Sequence, residues 1–486
     1  MSGVRNAIVW ASVGKMLGFA TAFATSIIIA RFFLGPEEVG LFSIAFAATS
    51  LIAVLQEFGL NRYIVGEKEL SDDKLRTAFS VSLLVAWGIA VLLLLLAWPV
   101  AALYGDNRLL PLMLVIAASY LFVPLAIVPT AMLHRRMDFR SDFIVEVSAA
   151  FANAAVTLSL AAAGWGAMAL AYGALAQQCA RALASQWRCG WMFPWPFRIK
   201  GADSVVRFGG GSTLLQIFDS VGARAPDLIV GGAIGSYAVG IYSRGSGLAV
   251  QIIFLMTGAV NSVFYPALAK LRNEGGNMGE HYIRIVAGYT GLVFPAMAGL
   301  AAASTPLVLA LYGERWIEVA PVLSILAIAQ MFIVAIPMPV QIPILLGRLD
   351  GVVRRSCFAV GLMLVFFLLG TNWGILGAAF AYLGYAIVNG AIYGKFLHSL
   401  IAFPVRDLIV SYAQSLICAL AAAAPLLVAY NFWDTPETMG FGQLLALVAV
   451  GIICWVLALY VVRHPIRMEL EKFTGNIRQR LPMRAG

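Results

Sequence analysis

Long apolar runs separated by short polar turns dominate the chain from one end to the other. About 20 mostly apolar residues are needed to carry an α-helix across roughly 30 Å of hydrocarbon, at about 1.5 Å of rise per residue. Fourteen runs reach that length. The first six, at 7–30, 39–60, 78–103, 109–133, 143–163 and 166–184, predict one lobe. The next six, at 205–233, 238–264, 282–303, 319–346, 352–370 and 374–396, predict a second, and runs at 408–430 and 441–462 form a final pair. Backbone polar groups in lipid must bond internally, and the alternating ten-residue pattern of a membrane barrel is absent, so the runs predict helices. The expected fold is an all-α integral membrane protein of about 14 transmembrane helices, two pseudo-symmetric six-helix bundles plus a C-terminal helix pair. The corresponding domains are 1–200, 201–400, and 401–486 with its basic tail.

Composition supports a lipid solvent: 61% of the 486 residues are hydrophobic and 12% charged, with a mean hydropathy of +0.88, whereas soluble domains carry about 25% charged residues. The net charge of +9 does not indicate nucleic acid, because a nucleic-acid binder gathers its basic residues on one face or arm. Here they punctuate the apolar runs, as cytoplasmic loops do. With the N-terminus placed in the cytoplasm, only Arg31, Arg108 and Arg315 of the 33 Lys and Arg fall outside, while Lys15, Arg224 and Arg244 lie deeper within spans. Both termini are therefore expected in the cytoplasm. The first run contains Lys15 and flows into Arg31 without a small-residue cleavage site, so it reads as a retained helix rather than a signal peptide. Cys179, Cys189, Cys357, Cys418 and Cys454 have neither disulfide-framework nor metal spacing.

Offset by 200 residues, the chain matches itself. LGPEEVGLFS, at 34–43, aligns with IGSYAVGIYS, at 234–243, pairing Gly35 with Gly235, Val39 with Val239, Gly40 with Gly240 and Ser43 with Ser243. Each copy joins the first two helices of its predicted lobe. Such a parallel repeat is one transporter plan, although Gly-rich turns also recur for local geometry alone.

The seventh run, VVRFGGGSTLLQIFDSVGARAPDLIVGG, is the most informative. At about 100° per residue, Ser212, Gln216, Asp219, Ser220, Arg224 and Asp227 share roughly a 140° arc, facing away from most of the apolar positions. An ionisable group at bilayer depth costs about 2.5 kcal/mol or more, so it should face a cavity or a partner. Arg224 and Asp227, three apart, could instead form a structural ion pair. Lys15 could snorkel to the cytoplasm, Arg244 could sit at the outer interface, and Glu57 should meet water. Asn153, Gln177, Gln178, Gln251, Asn261, Gln330, Gln341 and Asn389 suit sugar hydroxyls or, more commonly, bonds between helices. Within IPMPVQIP, Pro337, Pro339 and Pro343 predict a kink or break suited to a gate or hinge, or a purely structural one. The aromatic stretch WMFPWPF at 191–197 suits an interfacial anchor.

Several chemistries lack their residues. Gly209, Gly210 and Gly211 are followed by Ser and Thr without the Lys of a phosphate loop, and His134, His281, His398 and His464 form no ligand cluster. No ATP hydrolysis, catalytic metal or cofactor is expected. An integral-membrane polymerase or acyltransferase would need a substantial outer loop for its site, and none is long enough.

Four segments in order, IARFFLGPEEVGLFSIA, GGGSTLLQIFDSVGARAPDLIVGGAIGSYAVGIYSRG, VFYPALAKLR and LYGERWIEVAPVLSILAIAQ, carry a resemblance across most of the chain. The sequence resembles the polysaccharide transporter family, the Wzx-type oligosaccharide flippases of the multidrug/oligosaccharidyl-lipid/polysaccharide exporter superfamily, in its colanic-acid-exporter-like branch. The resemblance implies two six-helix lobes around a central cavity and alternating access. It also implies export of undecaprenyl-pyrophosphate-linked sugar units across the bacterial inner membrane for exopolysaccharide or lipopolysaccharide synthesis. The family has no invariant catalytic motif, and no site residue is carried over from it. The residues themselves nominate Arg224, with Lys15, Arg244 and Gln216, for the substrate, since arginine bonds phosphate bidentately. Asp219 and Asp227 are nominated for a coupling proton or sodium ion. The rival readings are a drug or cation antiporter of the same superfamily, which would favour an acidic, aromatic pocket, and a non-transporting scaffold for polysaccharide polymerase and other assembly proteins.

Overall fold

The computed structural model describes residues 2–56, 60–67, 69–197, 202–432 and 435–467, and their side chains except at 2–8, 62, 202–213 and 258–263. Glu57, most of the basic tail, and the side chains of Ser212 and Asn261 fall outside this description. Every regular element among the described residues is helical. In order they are α1 (Ser2–Phe32), α2 (Pro36–Ala53), α3 (Leu60–Gly66), α4 (Asp72–Tyr104), α5 (Leu109–Ser119) and α6 (Val123–Arg135). These are followed by α7 (Phe139–Ala162), α8 (Ala167–Cys189), α9 (Ala202–Ala233), α10 (Ser236–Asn273), α11 (Met278–Ala302) and α12 (Ser304–Leu311). The last are α13 (Val319–Ala335), α14 (Gln341–Leu345), α15 (Leu349–Gly370), α16 (Gly374–Ile401), α17 (Val405–Phe432) and α18 (Phe441–Val461).

Each predicted apolar run coincides with one helix or with a broken pair. Nine segments among the described residues are long and apolar enough to cross a membrane, and ten when the bent pair α5–α6 counts as one; α15 and α16 enter as a single stretch, Leu349–Ile401. The chain is therefore a multi-pass membrane protein. Two short helices, α3 and α12, were not foreseen. The bend of 41° between α5 and α6 has a local cause: Pro124 at the start of α6 has no N–H to offer the Tyr120 carbonyl one turn back.

Two compact units divide the chain, Met1–Gly240 and Ile241–Gly486. In the first, α7 packs on α1 and α8, α8 also meets α5 and α6, and α9 lies against α2 and α4. The boundary falls well beyond residue 200 because α9, expected to open the second lobe, belongs by its contacts to the first unit. Small residues bring these helices together. A Cβ at Gly173 of α8 would overlap the Thr157 hydroxyl of α7, the close backbone approach that small residues permit in membrane bundles. At the start of α10, a Cβ on Gly240 would overlap the Pro36 carbonyl, and one on Gly40 the Ser236 carbonyl. The 200-residue offset interchanges these partners, so the two copies of the repeat meet reciprocally, each glycine on its counterpart's first turn.

In the second unit α11 packs on α17 and α13, α13 on α16, and α17 on α18. The turn after α18 is anchored deep in this bundle. His464 is fully buried, and a Cβ at Gly291 of α11 would overlap its ring. Its Nδ1 accepts from the Ile466 N–H at 3.3 Å, which leaves Nε2 protonated and donating to the Ser415 hydroxyl at 3.1 Å. Ser415 then donates to Thr290 at 2.8 Å, and Thr290 to the Val286 carbonyl at 2.8 Å. The Gln414 amide adds a bond to the Val462 carbonyl at 3.0 Å. The chain accommodates a left-handed Arg463, with φ of 53°, at a cost on the order of 1 kcal/mol.

Burial disfavours the imidazolium and pushes the His464 pKa down to about 4 from 6.5. Because the folded value is depressed, the neutral ring's contribution is complete above about pH 6.5 and is lost as pH falls toward about 4. Protection of the backbone amides at residues 462–466, relative to their intrinsic exchange rate at each pH, should therefore fall across that window, and His464→Phe should abolish the step. Flat protection from pH 7 to pH 4 in the wild-type protein would refute the assignment.

Candidate functional site

In the first unit, the polar arc of α9 changes character along its length. Asp219 and Ala223 are exposed, and Gln216, Ser220 and Arg224 are half-buried. Ala225, Pro226 and Asp227 are packed away. The arc is thus open at mid-helix and closes one to two turns later, a distinction that the helical periodicity alone does not contain. Gln216 Oε1 is buried without a hydrogen bond from any described residue, an acceptor whose desolvation costs about 1–3 kcal/mol until a donor arrives.

Arg224 lies over the Phe46 ring of α2, its guanidinium carbon 4.8 Å from the centroid. A cation held by a ring face keeps its N–H groups directed outward around the rim of the plane. Asp227 is close enough to Arg224 and to Tyr104 to interact with both electrostatically. Only 9% of it is exposed. Tyr104 of α4 donates to the Leu228 carbonyl at 2.9 Å and would collide with a Cβ at Gly231, so the helix around Asp227 is clamped while Asp219 is open. The structure thus brings Gln216, Asp219 and Arg224 onto one accessible stretch and sets Asp227 into the packing behind them.

Lys15 is exposed on α1, beside the Gly14 at which this helix crosses Phe143 of α7. It comes within electrostatic range of His134, not of the α9 stretch. Around it α6, α7 and α8 assemble ion pairs that were not anticipated: His134 Nε2 to Asp142 at 3.0 Å and Arg181 to Glu146 at 2.9 Å. A Glu and an Arg a turn or so inside apolar runs five and six were the available signal. Higher in the same pair of helices the Asn153 amide donates to Gln177 at 3.3 Å, the interhelical use of such residues.

In the second unit Arg244 is set among aromatic rings, 5.8 Å from the Tyr312 centroid and 5.6 Å from that of Trp316. Trp316 is fully buried. The two rings surround the guanidinium with cation–π contacts.

The proline run does break its helix. α13 stops at Ala335, the chain turns through Met338 with φ of 55°, and α14 resumes at Gln341. Pro339 has no N–H for the Ala335 carbonyl, and Tyr412 of α17 supplies its hydroxyl there at 2.6 Å. Tyr282 of α11, fully buried, donates to the Pro337 carbonyl at 3.2 Å. Beyond Pro343, Arg272 caps the Leu345 carbonyl at 2.6 Å. Unpaired carbonyls in an apolar interior cost several kcal/mol each, so Tyr412 and Tyr282 make the interruption tenable, while Arg272 caps the exposed end of α14. Sequence reading named the prolines and missed Tyr282, Tyr412 and Arg272. A buried tyrosine in an apolar helix needs a partner for its hydroxyl, and that was the clue.

No group of three or more His, Cys, Asp and Glu that could hold a metal occurs among the described residues. Geometry alone therefore offers an open, polar, partly cationic helix face in one unit and a tyrosine-braced helix break in the other. Comparison with known proteins adds the lineage. The chain is 25% identical to the succinoglycan biosynthesis transport protein ExoT of Rhizobium meliloti, over 87% of this chain and 82% of that one. It is 21% identical to the lipopolysaccharide biosynthesis protein WzxC of Escherichia coli, over 98% of both. Its fold is similar to that of the lipid II flippase MurJ in an inward closed conformation, with a TM-score of 0.69, 15% identity, and coverage of 95% of this chain and 100% of the other. Residues 28–321 match the family model described as polysaccharide biosynthesis protein, and the resemblance carried by the four sequence segments is thereby borne out: the chain belongs to the polysaccharide biosynthesis protein family.

Proposed function

We propose that this protein is a flippase that moves lipid-linked oligosaccharide or polysaccharide units across the bacterial inner membrane for cell-surface polysaccharide synthesis. The observation that carries the reading is the accessible stretch Gln216–Asp219–Arg224 on α9, a helix that the apolar pattern reads as a membrane crossing, in a chain with a relative named as a succinoglycan biosynthesis transport protein. A sugar headgroup crossing hydrocarbon without partners would cost about 2–7 kcal/mol per hydroxyl. A hydrated polar path removes most of that barrier while the lipid tails stay in the bilayer.

In this reading Arg224, held by Phe46, presents its N–H groups to the pyrophosphate, and Gln216 Oε1 accepts from a sugar hydroxyl. Asp219, open at mid-helix, binds the coupling proton or sodium ion. Asp227 supports the helix from behind, and Lys15 belongs to the loading end with His134 and Arg181. In this reading the chain crosses the membrane fourteen times with both termini in the cytoplasm, which keeps most basic residues on that side. The proline break is the hinge of an alternating-access cycle. The protein acts as a transporter rather than as an enzyme, with polysaccharide polymerase or other assembly proteins as its partners.

Loss of a charged hydrogen-bond donor costs about 1.5–3 kcal/mol, so Arg224→Ala should slow export by about tenfold to a hundredfold. Lipid-linked headgroup should accumulate in the cytoplasmic leaflet, and Arg224→Lys should recover only part of the rate. Export at the wild-type rate in Arg224→Ala would reject the role. For Asp219→Asn, uptake into inside-out vesicles should no longer respond to an imposed proton or sodium gradient, and a fully retained response would move the coupling site elsewhere.

A further inference from the structure

A groove of about 410 Å³ lies between the broken end of α13, the last turns of α16 and the start of α17. Its lining includes no residue of α9. Its wall is apolar, with Phe332, Ile387 and Val405 open to the surroundings. Gly390 and Gly394 line one side, where α16 comes within ordinary contact of Phe332 and Ile336. At the end of α16 the character changes. Lys395 and His398 line the groove, both exposed, three residues apart on one helix face. Neither side chain has an ionic partner among the described residues, and no carboxylate lines the groove. The first turn of α17, beginning at Val405, carries its own acidic residue, Asp407, which does not line the groove.

An apolar slot at the end of membrane-crossing helices, with the Lys395 ammonium and the N–H-bearing imidazole of His398 at its mouth, is complementary to one kind of molecule: a lipid with an acyl chain and an anionic phosphate at the same depth. We infer that this groove binds an anionic phospholipid of the surrounding leaflet, its acyl chain along Phe332 and Ile387 and its phosphate at Lys395 and His398. The groove also includes Ile336 and the pair Tyr412 and Ala335, whose hydroxyl–carbonyl bond braces the proline break. A bound chain therefore fills space directly against the hinge and favours the bent form of α13. The phospholipid acts as a resident effector, not as cargo.

The test uses the full-length protein equilibrated in micelles holding equal amounts of phosphatidylglycerol and phosphatidylcholine, followed by native mass spectrometry. The wild-type protein should retain phosphatidylglycerol about tenfold over phosphatidylcholine, the difference expected of one charge-assisted contact. Lys395→Gln with His398→Gln should erase that preference. Gly394→Leu should reduce binding of both lipids, and Val405→Glu, at an exposed rim position that does not challenge folding, should do so as well. Equal retention of the two lipids by the wild type, or an undiminished preference in the double variant, would overturn the inference. Displacement of phosphatidylglycerol by an equimolar polyprenyl monophosphate would also overturn it, by assigning the groove to a carrier lipid.

Discussion

Hydrocarbon gives the peptide backbone nothing to bond with, and the rest of this structure depends on how that demand is met. Uninterrupted helices meet it internally. At the proline break that ends α13, side chains answer: Tyr412 for the Ala335 carbonyl and Tyr282 for Pro337. The same economy appears after α18, where His464, Ser415 and Thr290 hand one proton each along a buried line that ends on a backbone carbonyl. Such arrangements bind distant helices through single hydrogen bonds.

Charge is distributed under the same constraint. Ion pairs gather near helix ends, as with Glu67 and Lys74 or Asp106 and Arg108, while the cations at depth rest on aromatic rings: Arg224 on Phe46 and Arg244 by Tyr312 and Trp316. A ring face compensates part of the desolvation of a guanidinium without consuming its N–H groups. That difference separates Arg224, beside an open stretch of α9, from Arg244, enclosed by a buried tryptophan.

The apolar runs made the helices legible, since length and hydropathy are sufficient where the solvent permits one secondary structure. The helix break was also legible, because three prolines in seven residues leave little choice. Packing was not. That α9 joins α2 and α4 depends on Phe46, Ile44 and Tyr104 lying opposite Arg224 and Gly231, and nothing in the local sequence of α9 names them. Periodicity placed Asp219 and Asp227 on one arc, but only three-dimensional packing separates the exposed carboxylate from the buried one. The repeat was legible as four matched positions, and its physical content, each glycine seated against the other copy's first turn, became visible only with the backbone in place. The pairing of Glu146 with Arg181 escaped notice because each alone resembled an ordinary charge near a helix end.

The central claim is that the middle of α9 presents Gln216, Asp219 and Arg224 to water within the membrane. Accessibility of single cysteines to a membrane-impermeant maleimide, in a background with the five native cysteines replaced, tests it most directly. Asp219→Cys and Ala223→Cys should react readily, whereas Ala225→Cys and Val230→Cys, on the packed surface, should stay protected until the protein is denatured. If all four positions prove equally unreactive in the native membrane, the wet path does not exist and the account fails.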